Sequence, residues 1–520
     1  MSLETKFNHL ISNRAKERKF KAGFFEGSTP DHVVKHPNPL PLGGGTPDEG
    51  FFPIESIHLN LINEPFQHLS YQEKTKNLNI KDINVKEQIH KINDDNTNHT
   101  YRYTDNEDEV DLATGLQYSW GNGFPQLRKF SKDLITRTNK PGYDDWDVII
   151  TNGSGDSLHK ISDLFVEKGG TILVEEFTFT PFNSTAQNWG GTPIPIKLNI
   201  RPKKDGGEEP GVDPEYLDDL LTNWSSGPYK HLPKPYALYT IPTGQNPTGL
   251  SQSLELRKKI YSIAEKHDFI IVEDDPYGYI SLPKYGTPNV YENDGLDNDT
   301  YIKSYLKPSY LTLDTSGRVV RLETFSKLFS PGLRLGFIVA NKFFIEKLNL
   351  YTGLSTRAPS GVSQLVFNNI VANWGGVDGW LTWAQKIAKH YTIRRDLFLK
   401  TLYDSESFKN NEFEVVEPDA GMFIIVYINL ESKFPDPKNW EKVLHELRYK
   451  TITNGVDIVF GNKMTTDLNF KFTTPKSNFL RLTIAAVHDN DEIIEAGKRL
   501  TKSIKEFFED LNAGKYDDLK

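Results

Sequence analysis

Lys327 follows a Ser326 at the end of an apolar run, Val319-Val320-Arg321-Leu322, and Arg334 stands seven residues further on, beyond a Pro331-Gly332 turn. A lysine placed where a strand meets a loop reaches ligands that lie at the strand ends, the usual ligand position in open α/β sheets. Desolvated there, its amine loses basicity and can attack a carbonyl to form a Schiff base. An arginine close by offers a planar fork of donors to a phosphate. A molecule carrying both an aldehyde and a phosphate fits this pair, and pyridoxal phosphate is such a molecule.

Other stretches hold residues of matching chemistry. Asn152-Gly-Ser154-Gly155-Asp-Ser157 lies between an apolar run and a helical pattern, where free backbone N–H groups and the helix dipole attract an anion. A simple helix cap would produce the same turn, and the sequence fits neither the dinucleotide fingerprint nor the Walker lysine pattern. Glu273-Asp274-Asp275-Pro-Tyr277 sets three acids at a strand end. One of them could face a protonated pyridine nitrogen, and a magnesium site is the rival reading. Ile241-Pro-Thr-Gly-Gln-Asn246-Pro-Thr-Gly is a rigid turn that aims an amide at the sheet edge, and Arg481 interrupts an apolar strand pattern. That arginine marks either an exposed face or a fork for a carboxylate. Gly43-Gly-Gly45-Thr-Pro permits close backbone approach to a ligand, or is a plain loop.

The elements that must position these groups follow from periodicity. Short apolar runs at 147–151, 171–175, 194–198, 236–240, 269–273, 318–322 and 336–340, mostly separated by helical patterns such as 254–267, predict an α/β fold with a mostly parallel seven-stranded sheet between helices. Beyond Val362, long helical patterns with strand runs at 421–427 and 478–484 predict a smaller α+β domain ending in a helix over 493–511. The expected organisation is an N-terminal arm with part of the small domain over 1–60, a polar insertion over 61–111, the large domain over 112–362 and the small C-terminal domain over 363–520. Segments 201–210 and 284–305 are expected outside the core.

Composition narrows the classes. With 61 basic against 70 acidic residues the formal net charge is −9, which disfavours nucleic acid and anionic membrane as partners. The absence of cysteine excludes disulfides, thiolate metal sites and cysteine nucleophiles. No metal is expected. No stretch is apolar enough to span a bilayer, and no basic region leads into an apolar one after Met1, so a cytoplasmic protein is expected.

Asn246-Pro-Thr-Gly, Asp274-Asp-Pro-Tyr277, Ser326-Lys327 with Arg334, and Arg481 resemble, in order and spacing, the motifs of class I aminotransferases of PLP fold type I. Leu116-Gln-Tyr118-Ser, Gly44-Gly-Thr-Pro and Arg357-Ala-Pro-Ser-Gly with Ala420-Gly-Met-Phe narrow the likeness to the branch of kynurenine, aminoadipate and fungal aromatic aminotransferases. Glu175-Glu-Phe-Thr-Phe179-Thr-Pro and Asn223-Trp-Ser-Ser-Gly-Pro-Tyr-Lys look most like the fungal aromatic members.

The resemblance implies roles. Lys327 would hold pyridoxal 5'-phosphate and later shuttle the substrate's α-proton, with Asp274 at the ring nitrogen and Asn246 and Tyr277 at the phenolic oxygen. Ser154, Gly155, Ser326 and Arg334 would take the phosphate, joined by Tyr118 from the neighbouring subunit of a homodimer. Phe179 would stack on the ring, and Arg481 and Gly45 would contact the substrate. Phe179 departs from the commoner tyrosine, Gly155 from the polar side chain frequent in relatives, and Asp156 is unexpected near a dianion. The implied activity is transfer of the amino group of tyrosine, phenylalanine or tryptophan to a 2-oxo acid by a ping-pong mechanism. The alternative is 2-aminoadipate or kynurenine transamination, followed by a PLP lyase or decarboxylase and, more remotely, a non-enzymatic regulator.

Overall fold

The computed structural model describes residues 2–19, 48, 52–61, 97–200, 209–292, 295–466, 476–487 and 489–519. Seven strands form the large sheet: β1 (Trp146–Thr151), β2 (Thr171–Glu175), β3 (Thr192–Ile196), β4 (Ala237–Thr240), β5 (Ile270–Asp274), β6 (Val319–Thr324) and β7 (Gly336–Asn341). Their spatial order is β1-β7-β6-β5-β4-β2-β3. All run parallel except β7, which is antiparallel to both neighbours. Runs such as Val148-Ile149-Ile150 and Ile270-Ile271-Val272 are buried throughout, as strands covered by helices on both faces must be. Each sheet run expected from sequence is a strand here, displaced by no more than two residues.

Local chemistry sets the helix ends. The Leu254–His267 helix starts where the Ser253 hydroxyl accepts the Leu256 N–H, and it stops at Asp268 in the left-handed region at φ 54°. Asn341, the last residue of β7, caps Lys342–Leu354 in the same way through the Phe344 N–H. A second sheet, wholly antiparallel, orders Phe413–Val416, Phe423–Ile428, Phe479–Thr483 and Val459–Phe460. The Val377–Asp404 and Asn490–Asn512 helices pack together beside it.

Three expectations change. Residues 2–19 belong to the large unit, because Phe7 is fully buried against Phe344, Ser12 bonds the backbone of Asp163 and Leu164, and Arg18 pairs with buried Asp163 at 2.5 Å. Within the polar stretch 61–111, residues 62–96 lie outside the described residues, whereas 97–111 are built in. Thr97–Tyr101 pairs with Ser56–Asn60, and Asn369 of the Gly361–Asn373 helix holds Val110 by both its N–H and its carbonyl. Segment 284–305 buries Tyr291 and Tyr301, whose hydroxyls reach the carbonyls of Ser281 and Tyr279. A polar segment can enter a core on tyrosines, since each brings a large apolar ring whose one hydroxyl finds a carbonyl.

Phe7 docks the arm through a filled apolar site. Phe7→Ala should cost about 3 kcal/mol by chemical denaturation, the usual effect of emptying a phenylalanine site.

Candidate active site

The alternation of β5 divides its charges. Tyr239 of β4 is the register partner of Val272, so Asp274, two residues beyond Val272, shares its face of the sheet. The Tyr239 hydroxyl donates to Asp274 Oδ2 at 2.5 Å, and both side chains are buried. Burial raises the Asp274 carboxyl to about 6; the Tyr239 bond opposes this, Asp275 adds to it, and Lys327 and Arg321 oppose it. Glu273 faces the other way. There Arg321, its register partner on β6, contacts Glu273 at 3.0 Å, Asp275 at 2.8 Å and Glu323 at 2.7 Å, all of them buried. Burial lowers the basicity of Arg321, but Glu323, Asp275 and Glu273 outweigh it. The three acids of the Glu-Asp-Asp run therefore do not converge on one point. Among the described residues no group of three or more potential metal ligands is assembled.

A second group joins the 152–157 turn to Arg334. The Ser154–Phe165 helix is capped by Gly153 at φ 79°, where a side chain would collide with the Arg334 guanidinium at 2.6 Å. Arg334 itself lies in the left-handed region at φ 53°, a conformation costing about 1 kcal/mol for a residue with a Cβ. Its side chain also donates to the Pro331 carbonyl at 3.0 Å. Gly155 faces open space, since an added Cβ would meet nothing within 4 Å. Asp156 folds onto its own turn and helix, accepting the Asn152 N–H at 2.9 Å and pairing with buried Lys160 at 2.5 Å. Pairing places these parts together: Thr324 faces Gly336 and Gly336 faces Thr151, so Ser326, Arg334 and the 152–157 turn share one sheet edge. Ser326 is held by the Thr324 hydroxyl, which donates to its Oγ at 3.0 Å and accepts its N–H at 3.2 Å.

Lys327 follows Ser326 in the loop after β6 and is exposed. Desolvation and then the Arg334 charge hold its amine below the ordinary lysine range; Asp274 pulls the other way and Arg481 adds to the lowering. Arg481 comes from the small sheet. Its Nη1 donates to Asn246 Oδ1 at 3.0 Å and its guanidinium lies 4.5 Å over the Phe423 ring, while its Nε is buried without a partner among the described residues. Asn246 is fixed by its neighbour Gln245, which donates to Glu175 at 2.9 Å and to the Phe177 carbonyl at 2.7 Å. Tyr277 is buried edge-on to Phe423, and burial followed by Asp274 raises its phenol. The two units touch backbone to backbone at Gly244, φ 54°, where a Cβ would lie 2.9 Å from the Ala420 carbonyl. Phe179 is half-buried at the start of the Pro181–Asn188 segment, and Tyr118 is 80% exposed. Gly45 lies outside the described residues.

A family model described as aminotransferase class I and II matches residues 84–500. The chain belongs to the class I and II aminotransferases. It is 41% identical to aromatic amino acid aminotransferase 2 of Saccharomyces cerevisiae, with 98% of each chain covered. Among solved structures, the aromatic aminotransferase Aro9 from C. albicans superposes with a TM-score of 0.85 at 44% identity, covering 97% of this chain and 98% of that one. The kynurenine aminotransferase of Pyrococcus horikoshii matches at 0.59 and 28%, covering 76% and 83%. A chain of this family moves amino groups between amino acids and 2-oxo acids, so the cleft has a substrate class as well as a shape.

Motif reading from sequence misses Tyr239, Gln245 and the pairing role of Arg321. The one signal for Arg321 is a charge inside an apolar strand run, and its meaning needs the register that sets it beside Glu273. Arg321→Met should destabilise the protein by about 3–5 kcal/mol in denaturant titration, because buried Asp275 and Glu323 lose their cation and Glu273 is left with Arg257 alone, at 3.4 Å. Adding Glu323→Gln should recover part of that loss.

Proposed function

We propose that the protein is a pyridoxal 5'-phosphate-dependent aminotransferase acting on aromatic amino acids, with a 2-oxo acid as acceptor. The observation that carries the cofactor is that the charges of Arg334, Asp274 and Arg481 all act on the Lys327 amine, while the Arg334 guanidinium lies against the Gly153 turn at a helix N-terminus. The donor set fits the group. The open space at Gly155 admits a phosphate beside the first turn of a helix, and the unpartnered Arg481 Nε leaves a donor for a substrate carboxylate.

Bound there, the cofactor supplies an aldehyde for amine exchange and an electron-poor ring that accepts the electron pair of the substrate's Cα–H bond. Lys327 would hold it through its amine and, as a base, would move the proton of the substrate's α-carbon. Desolvation and the Arg334 charge lower its basicity, which favours the unprotonated amine that this role needs. Asp274 stabilises a protonated ring nitrogen, and Asn246 and Tyr277 flank the phenolic oxygen. Ser154, Gly155, Ser326 and Arg334 bind the phosphate, Phe179 covers the ring and Arg481 grips the substrate carboxylate. Tyr118, which projects from its own subunit, completes the phosphate site of the neighbouring one in a homodimer. Support for aromatic substrates comes from full-length likeness to two aromatic aminotransferases, against partial coverage of the kynurenine enzyme.

Adding L-phenylalanine to the purified, cofactor-loaded protein without any 2-oxo acid should convert its visible band to the pyridoxamine form and release phenylpyruvate. A band left unchanged by phenylalanine but converted by 2-aminoadipate or kynurenine would move the assignment to those substrates. Arg481→Gln should lower kcat/KM for phenylalanine about 100-fold, measured in single turnover, as two charge-assisted bonds to the carboxylate are lost. Lys327→Ala should bind the cofactor without the absorption of the lysine adduct.

A further inference from the structure

The Asp274 carboxylate has two oxygens, and the protein occupies one. Oδ2 accepts the Tyr239 hydroxyl, and among the described residues no other hydrogen-bond donor reaches that carboxylate. Tyr239 has no freedom to do otherwise. It is fully buried in the middle of the sheet and stacks on Phe182 with ring centroids 3.8 Å apart and planes 14° from parallel. Phe182 lies three residues past Phe179, so one segment holds the ring-covering aromatic and, through Phe182, the tyrosine that fixes the acid beneath. A hydroxyl on a carboxylate is a charge-assisted bond, and it favours the ionised acid.

We infer that Tyr239 is a positioning residue for transamination: its hydroxyl pins Oδ2, keeps Asp274 ionised and leaves Oδ1 as the acceptor for the cofactor's ring nitrogen. The inference rests on the cofactor reading above. Packing alone does not account for the hydroxyl, since a phenylalanine would fill the same stack. The other groups that act on Asp274 are Asp275 on its own chain segment, Arg321 behind it, Lys327 and Tyr277 at the cleft and Glu175 on β2, and none of them donates a hydrogen bond to it. Losing the hydroxyl removes an interaction made with the charged form, so the acid of Asp274 persists to higher pH.

Tyr239→Phe keeps the ring and its stack and deletes one oxygen. The variant should match the wild type in circular dichroism, while its apoprotein binds pyridoxal phosphate about tenfold more weakly by fluorescence quenching. The rate of the L-phenylalanine half-reaction should fall with the donor KM unchanged, and the acid limb of its pH profile should move upward. In an Asp274→Asn background the same change should alter cofactor affinity less than about twofold. Wild-type affinity together with an unmoved acid limb in Tyr239→Phe overturns the inference, as does a loss of affinity that is equal in the wild-type and Asp274→Asn backgrounds. A wild-type protein that binds no pyridoxal phosphate overturns the cofactor reading itself, and that result is read without any variant.

Discussion

The buried contact between Arg321 and three carboxylates is the constraint on which the site depends. Strands β5 and β6 bring Glu273, Asp275 and Glu323 within about 3 Å of one guanidinium, out of water. Unpaired, such charges would repel one another by several kcal/mol each at the effective dielectric of a protein interior. With the arginine in place that negative charge is paired on one face of the sheet, and Asp274, on the other, is bonded by Tyr239. The arrangement separates two jobs within one run of acids. Asp274 lies on the face shared with Tyr239, and its two neighbours pair with the arginine that anchors the strand carrying it.

The remaining groups are held by backbone features more than by side-chain packing. Gly153 lets an arginine lie against the first turn of a helix, and Gly244 lets the small unit's chain meet the Asn246 turn. Gln245 ties that turn to Glu175 on a neighbouring strand. Arg481 thus reaches Asn246 across two units whose backbones already touch, so the two side chains are set by a common surface.

Much of this was legible in sequence because strands buried on both faces read as unbroken apolar runs, and all seven were found that way. The chemistry-bearing residues at strand ends were visible because Lys, Asp, Arg and Asn are conspicuous beside such runs. Pairing was not visible. Tyr239 looks like one more apolar strand residue until β4 lies beside β5, and the roles of Glu273 and Asp275 cannot be told from that of Asp274 without the alternation and its register with Arg321. Segment 284–305 misled for a different reason, since its charges and glycines conceal two tyrosines that carry it into the core. Short strands such as Val459–Phe460 leave too few residues for any period to show.

Because β7 runs antiparallel to β6, the chain between them is a hairpin loop, closed where the Phe325 N–H meets the Leu335 carbonyl at 3.2 Å. Lys327 leaves one arm of that loop and Arg334 leaves the other. The two cations are therefore jaws of a single calliper whose opening is fixed by loop length, independent of how the surrounding helices settle. A residue inserted or deleted between them would reset the span between the amine and the anion site at once, while sparing every strand.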